Sequence, residues 1–125
     1  MLNLKFLKKY VFLVAALLFS LPLFAKGPEA LALIRVSDLP VDAQKTLMQI
    51  KQGGPYAYAK DGVVFGNYEK QLPRQARGYY HEYTVRTPGV RHRGARRIIS
   101  GGEPASSGEY YYTDNHYATF SRIKE

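Results

Sequence analysis

The residues whose types could do chemistry lie in the second half of the chain. Glu82 is a carboxylate within an aromatic, β-branched run that predicts a β-strand. Side chains alternate between the two faces of a strand, so Glu82 shares a face with Tyr80 and Thr84. Arg93 and Arg97 point the same way by this period if their segment is extended. One acid and two arginines could therefore line one surface of adjacent strands, as acid–base chemistry on an anion would require.

A histidine in a later strand-like run, His116, could complete this group. Each residue also has an ordinary explanation when taken alone. A charged residue in a strand usually lies on the solvated face, and a lone histidine is usually just exposed. Residue types and spacing therefore make Glu82, Arg93, Arg97 and His116 candidates for a catalytic site, but they do not decide the role of each residue.

Other kinds of site find little support in the sequence. His81-Glu82 begins like a zinc-protease motif, but Val85 stands where that motif needs its second histidine. Gly101-Gly102 lacks the Gly-Lys-Ser/Thr that completes a phosphate-binding P-loop. The chain has no cysteine, which excludes a thiol nucleophile, a thiolate metal site and a disulfide. We therefore expect neither a metal ion nor a cofactor.

The charge of the chain favours a polyanionic partner. It has 18 Lys and Arg residues against 10 Asp and Glu residues, a net charge of +8. The first 25 residues include three of the lysines and no acid, so a chain starting at Lys26 keeps a charge of +5. Five arginines fall within 86–97, and tyrosines, whose rings can stack on nucleic-acid bases, surround them.

The N-terminus is typical of a secretory signal peptide. Residues 1–10 carry the lysines, 11–24 are almost wholly apolar, and Ala25 is a small residue at the exit. A membrane-spanning helix is the alternative, but it needs about 20 apolar residues, and this run is shorter and contains Pro22. We expect residues 1–25 to be removed and residues 26–125 to form a single domain. Cleavage after Ala32 is the alternative.

The elements that must position these residues follow in a simple order. A short strand is predicted over Leu31–Val36, and then a helix that starts after Pro40 and ends at Gly53-Gly54, with Val41, Leu47 and Ile50 at helical spacing. The second half predicts four strands, over Tyr79–Val85, Arg96–Ile99, Tyr110–Thr113 and His116–Ile123. A helix followed by antiparallel strands is the α+β class.

Several separated blocks of the sequence, in the right order, resemble the microbial guanyl-specific ribonucleases, the family that includes barnase. The resemblance extends from about Leu33 to Ile123 and is carried by Asp61–Phe65, Asn67–Glu69, Gly78–Val85, Thr87–Gly89, Arg91–Ile99 and Asp114–Phe120. It implies an N-terminal helix packed on a twisted antiparallel β-sheet. It also implies that the substrate is single-stranded RNA.

The resemblance also implies roles for the four candidate residues. Glu82 matches the base that takes the proton of the ribose 2′-OH, and His116 matches the acid that protonates the leaving 5′-oxygen. The product is a 2′,3′-cyclic phosphate, which the same pair then hydrolyses to a 3′-phosphate. Arg93 and Arg97 match the clamp on the phosphoryl oxygens, and Tyr117 matches a hydroxyl on the phosphate side.

Guanine recognition is expected, from the same resemblance, in the segment that starts at Phe65. Glu69 would accept hydrogen bonds from the N1 and N2 hydrogens of guanine, and backbone N–H groups around Gly66, Asn67 and Tyr68 would donate to O6 and N7. The sequence departs from its relatives here, because Tyr68 stands where they often have arginine and Gly66 replaces a longer side chain. Many relatives also have a disulfide, which this chain lacks.

The resemblance implies a secreted, monomeric enzyme with an RNA substrate and a barstar-like protein inhibitor. A role as a toxin and a role in scavenging nutrients remain alternatives with the same chemistry. A non-catalytic basic protein that binds RNA or acts on membranes is the alternative of another class, and it would leave the four candidate residues without a purpose.

Overall fold

The computed structural model describes residues 30–125. The predicted signal peptide and its cleavage after Ala25 lie outside the described residues. The alternative cleavage, after Ala32, would fall at the start of the first strand. Between residues 30 and 125, no helix is both long enough and apolar enough to cross a membrane.

The first elements are a short strand, β1 (Ala32–Arg35), a 3₁₀ turn at Val36–Asp38, and the helix α1 (Val41–Gln52). Pro40 occupies the N-cap, and Gly53 ends the helix in the left-handed conformation with φ 79°, as predicted. Such a φ suits glycine because a Cβ would be strained there.

The buried face of α1 differs from the prediction at one position. Ala43, Leu47 and Ile50 are buried, but Val41 is 66% exposed. Two residues correspond to about 200° of rotation around a helix, so Val41 lies almost opposite Ala43. The prediction that Val41 belongs to the core-facing stripe was wrong. Thr46 is buried in its place, and its hydroxyl bonds the carbonyl of Thr84 at 3.2 Å, which joins the helix to the sheet.

The sheet consists of β1 with β2 (Tyr80–Thr84), β3 (Arg97–Gly101), β4 (Tyr110–Thr113) and β5 (Ser121–Lys124). Its order is β1-β5-β4-β3-β2. All neighbouring strands are antiparallel except β1, which runs parallel to β5. The predicted α+β class is confirmed, with one helix packed on a mostly antiparallel sheet.

Two apolar clusters cover the two faces of the sheet. On one face the strands pack against α1, through residues that include Tyr83, Val85 and Ile98. On the other face Tyr80, Ile99 and Tyr111 pack with Leu72 and Phe120, which come from the long connections. The second face has no helix over it among the described residues, so it is the face on which loops can build a site.

The last predicted strand is shorter than expected. Only Ser121–Lys124 is extended, and His116 and Tyr117 have φ values of 53° and 70°. The prediction that His116 lies in a strand was therefore wrong. Its backbone N–H donates to Ala95 O at 2.9 Å, and that of Tyr117 donates to Thr113 Oγ1 at 3.2 Å. These bonds hold residues 114–120 as a compact loop instead.

Candidate active site

The register of three strands places a polar group on the face away from α1. Directly opposed residues of an antiparallel pair share a face. Thr84 is opposite Arg97, and Arg97 is opposite Thr113, while Glu82 lies two residues before Thr84 on the same side of β2. The alternation read from the sequence for Glu82 is confirmed, and the sheet brings Arg97 to the same face.

Glu82 is held by two donors. Arg93 Nη2 lies 3.3 Å from Glu82 Oε1, and the hydroxyl of Tyr117 donates to Oε2. The Glu82 side chain is only 13% exposed. Arg93 in turn donates from Nε to Thr84 Oγ1 at 3.0 Å, so its guanidinium is fixed from two directions. Each oxygen of the carboxylate keeps a second acceptor position for a further donor.

Arg93 reaches this position by a route that the sequence did not predict. The segment before β3 is not extended, and Gly94 has a φ of 69°. A Cβ on Gly94 would lie 2.6 Å from Thr87 Oγ1, so the bend needs glycine for space as well as for conformation. The condition under which the sequence placed Arg93 and Arg97 on one face, an extended segment, does not hold, but both arginines border the same group of polar side chains.

Arg97 is a buried cation with hydrogen-bond donors to spare. It is 2% exposed, and its Nη1 donates to Gly94 O at 2.9 Å and Arg96 O at 2.7 Å. Its Nε is buried and finds no acceptor among residues 30–125. Backbone carbonyls thus hold a positive charge in place, and Nε keeps a donor that no acceptor satisfies in the described part of the chain.

Tyr117 links the parts of the site. Burial, followed by the hydrogen bond to Glu82, raises the pKa of Tyr117 to about 12, so its hydroxyl stays protonated and can donate. Its ring centre lies 5.0 Å from that of Phe65 and 4.7 Å from that of His116, and 6.0 Å from the guanidinium carbon of Arg97. The structure places this hydroxyl on the Glu82 carboxylate, and the phosphate-side role that the resemblance implies stays a prediction. We call Glu82, Arg93, Arg97 and Tyr117 the acid–arginine cluster.

His116 is at the edge of this cluster. Its side chain is exposed, and its imidazole forms no hydrogen bond with any residue that the structure describes. The left-handed turn at φ 53° and the hydrogen bond from its N–H to Ala95 O fix the backbone of His116, from which the side chain extends. Its ring contacts that of Tyr117, so His116 reaches the carboxylate group through one intervening side chain.

A cavity of about 160 Å³ adjoins the cluster on the Phe65 side. Its lining combines aromatic rings with one carboxylate and two amides, from Phe65, Asn67, Tyr68, Glu69, Gln71, Tyr117 and Phe120. Tyr117 therefore belongs to both the cavity and the cluster. Gln71 and Phe120 were not singled out from the sequence. Phe120 lies in a block that carries the resemblance, but a lone Gln71 gives no signal.

Loop 65–69 leaves its polar groups open. Asn67 forms hydrogen bonds in both directions with the backbone of Leu72, at 3.0 and 3.1 Å, which closes the loop. The N–H groups of residues 66–69 donate to no protein acceptor between residues 30 and 125, and the exposed carboxylate of Glu69 has no ion-pair partner there. The loop thus presents a row of donors and one acceptor next to an aromatic cavity.

Not every arginine of the segment 86–97 lies at this site. Arg86 borders a separate groove between α1 and residues 57–61, and Arg96 lies near Tyr112 on the helix-covered face. No group of three or more residues able to ligate a metal is found within residues 30–125.

Comparisons with known proteins show which family this chain is similar to. A family profile described as ribonuclease matches residues 28–124. Guanyl-specific ribonuclease Sa of Kitasatospora aureofaciens is 56% identical over 90 residues, 72% of this chain and 91% of the relative. Guanyl-specific ribonuclease St of Saccharopolyspora erythraea is 52% identical over 87 residues, 70% of this chain and 82% of the relative.

Similarity extends to a solved structure. Ribonuclease Sa2, determined in complexes with mononucleotides, superposes with a TM-score of 0.72 at 49% identity, covering 77% of this chain and 96% of the other. Sequence identity of this level over most of both chains, on the same fold, shows common descent. The chain belongs to the microbial guanyl-specific ribonuclease family.

Proposed function

We propose that the protein is a metal-independent endoribonuclease that cleaves single-stranded RNA after guanosine. The observation that carries this proposal is the acid–arginine cluster next to an aromatic cavity bordered by Glu69. It places a proton acceptor and two cations beside a space for a base. The relatives that are named guanyl-specific ribonucleases support the choice of reaction and of base.

In the first step Glu82 takes the proton of the ribose 2′-OH, and the freed oxygen attacks the phosphorus. The bond from phosphorus to the 5′-oxygen breaks, and His116 in its protonated form gives that oxygen a proton. The product is a 2′,3′-cyclic phosphate. In the second step the roles reverse, as His116 activates a water and Glu82 returns a proton to the 2′-oxygen, leaving a 3′-phosphate. Positioned proton transfer contributes about 10²–10⁴-fold to such reactions.

The arginines stabilise the charge that grows on the phosphoryl oxygens. Arg97 is suited to this because two carbonyls hold it and its Nε remains without an acceptor in the described part of the chain. Such a donor needs no rearrangement when the charge develops, which is why preorganised donors are effective. The guanidinium groups supply the positive charge, so the proposed reaction requires no metal ion.

Guanine fits loop 65–69 by its hydrogen-bonding edge. Its N1 and N2 hydrogens suit the carboxylate of Glu69, and its O6 and N7 suit the open N–H groups of residues 66–69. Adenine has an amino donor where guanine has O6. The backbone N–H donors of the loop would then face the amino group of adenine and remain without an acceptor. The rings of Phe65 and Tyr68 provide surfaces on which a base can stack.

We further propose that the enzyme is secreted, on the strength of its N-terminal sequence, and that it acts as a monomer. A barstar-like inhibitor would need acidic side chains facing Arg93 and Arg97. A small acidic protein encoded next to this chain, able to block its activity at equimolar concentration, would favour the toxin role over scavenging.

Digestion of a defined RNA tests the proposal directly. Every cut should follow a guanosine, with 2′,3′-cyclic ends appearing before 3′-phosphate ends, and excess chelator should leave the rate unchanged. Cuts after all four bases would overturn the guanine assignment, and loss of activity in chelator that a divalent ion restores would overturn the mechanism.

The pH profile tests the acid–base pair. Cleavage needs Glu82 ionised and His116 protonated in the same molecule, so kcat/KM should fall on both sides of an optimum. His116→Gln should remove the fall on the alkaline side. If that limb is unchanged in the variant, another group is the acid.

A further inference from the structure

Tyr68 is an exposed aromatic residue whose position is fixed by an arginine from another segment. Its ring borders the base cavity although the residue is 81% exposed. The hydroxyl accepts a hydrogen bond from Arg77 Nη1 at 2.9 Å, and Arg77 lies outside loop 65–69, shortly before β2. An exposed tyrosine normally samples several rotamers, so this bond selects one of them.

Gly66 holds the same ring from the other side. A Cβ built on Gly66 would lie 2.6 Å from Cζ of Tyr68 and closer still to its Cε2. The tyrosine ring therefore occupies the space that a side chain at position 66 would take. One side of the ring lies next to Gly66, its hydroxyl accepts a hydrogen bond from Arg77, and the rest of the ring is exposed to solvent at the cavity rim.

We propose that Arg77 is a positioning residue for base recognition, which acts by holding Tyr68 at the rim of the cavity. The inference rests on the proposed function, since the ligand of the cavity is the guanine base. A ring already held at the rim can stack on an entering base without first losing its own rotational freedom. Arg77 itself need not touch the RNA.

If Arg77 positions Tyr68, removing its side chain should weaken the binding of the base without lowering the rate of the chemical step. Arg77→Ala should raise the Kd for guanosine 3′-monophosphate, and the KM for a guanosine-containing dinucleotide, by about threefold to tenfold, the effect typical of one hydrogen bond. The kcat should stay as in the wild type, because Glu82 and His116 are untouched.

Tyr68→Phe separates the hydrogen bond from the charge of Arg77. It keeps the ring and removes only the hydroxyl that Arg77 contacts. It should raise the Kd as much as Arg77→Ala does, and the double variant should show no further increase, because both changes break the same bond. Arg77→Lys, which keeps a donor and the charge, should recover part of the loss.

Gly66→Ala reaches the same ring by an independent route. The added methyl would collide with the Tyr68 ring and push it out of the position that Arg77 holds, so Gly66→Ala should also raise the Kd. Arg74→Ala is the matched control. It removes the same charge from the same connection, and Arg74 has no hydrogen bond or ion pair with the residues described.

The experiment is a titration of each variant with guanosine 3′-monophosphate, followed by dinucleotide kinetics and thermal unfolding. The inference is overturned if Arg77→Ala binds like the wild type, if Arg77→Ala and Tyr68→Phe are additive, or if Arg74→Ala matches Arg77→Ala. A fall in kcat equal to the rise in Kd would also overturn it. Failure of the proposed function would appear in the wild type, as cleavage without guanosine preference, and would overturn both.

Discussion

Arg97 and Tyr68 border the same site, and their surroundings differ in almost every respect. Arg97 is 2% exposed, and two backbone carbonyls and a strand register hold it. Tyr68 is 81% exposed and lies in loop 65–69, where the N–H groups of residues 66–69 find no acceptor among the described residues. One half of the site is thus assembled before any ligand arrives, and the other half is left with open hydrogen-bonding positions.

Under the proposed function, the difference follows from what each half must do. Charges that stabilise a transition state work best when they are fixed and shielded from water, so the sheet carries them. A base-binding loop must form its hydrogen bonds with the ligand, so bonds within the protein would compete with that role. The two departures that the resemblance indicates, Gly66 and Tyr68, fall in the open half, where the Tyr68 ring fills the space beside Gly66 and bonds Arg77.

The largest effect should come from the acid–base pair. Glu82→Gln keeps the shape of the side chain, His116→Gln keeps a polar group of similar reach, and both remove the proton transfer, so each should lower kcat by about 10²–10⁴-fold. Both variants should still bind guanosine 3′-monophosphate through loop 65–69. Turnover near that of the wild type in either variant would mean that the fixed half of the site does not carry the chemistry.

Arg97→Ala should affect both rate and stability. It removes a preorganised donor, which typically costs about 10²–10³-fold in kcat. It also leaves the carbonyls of Gly94 and Arg96 without their buried partner, at a cost of about 1–3 kcal/mol in the free energy of unfolding. Urea denaturation and RNA cleavage measure the two effects.

Arg86→Ala provides the control for Arg97→Ala. Arg86 is an exposed arginine that borders the groove beside α1, away from the acid–arginine cluster. Its removal should leave dinucleotide cleavage and stability close to those of the wild type. If Arg86→Ala lost as much activity as Arg97→Ala, the effect would reflect the net charge of the protein and not the place of the arginine.

The elements of the fold could be predicted from the sequence more reliably than their contacts. The α1 helix and β4 follow from local signals, namely Pro40, Gly53 and a run of tyrosines. Residues 116–120 were predicted as the start of a strand because their composition is strand-like. Their left-handed turns depend on bonds to Thr113 and Ala95, and contacts that are set by the tertiary structure leave no periodic signal in the sequence.

The site divides in the same way. Alternation along β2 placed Glu82 on the correct face, and β3 carries Arg97 to it. The position of Arg93 depends on the bend at Gly94, and that of Tyr68 depends on a bond to Arg77 from a separate segment. Neither the bend at Gly94 nor the bond between Arg77 and Tyr68 can be inferred from residue spacing. Roles for individual residues came from resemblance, and the variants described above are what would test them.

Glu69→Ala should change base preference more than rate. Glu69 is exposed and has no ion pair with other described residues, so its loss should not affect folding. The carboxylate would accept two hydrogen bonds from guanine, and a bond to a charged group contributes about 1.5–3 kcal/mol. We expect kcat/KM for a guanosine dinucleotide to fall at least about tenfold, with little change for an adenosine dinucleotide. Unchanged guanosine preference would place recognition elsewhere in the cavity.

The smallest expected effect concerns Tyr117, which belongs to both halves because it contacts Phe65 and donates to Glu82. Burial, followed by the bond to Glu82, raises the pKa of Tyr117 from 10.0 to about 12. As pH rises past 10, the unfolded chain loses this proton first. The stability due to the shift is therefore complete below pH 10 and is lost between pH 10 and about 12.

Phenylalanine has no such proton, so Tyr117→Phe isolates this contribution. The difference in unfolding free energy between wild type and variant should be constant below pH 10 and should then fall towards pH 12. Burial likewise raises the pKa of Tyr83 to about 12, but Tyr83 is present in both proteins, so its titration cancels in the difference. Urea denaturation at several pH values measures it. A difference that stays constant up to pH 12 would show that Tyr117 is not held protonated against Glu82, and that the fixed half of the site is less rigid than its hydrogen bonds indicate.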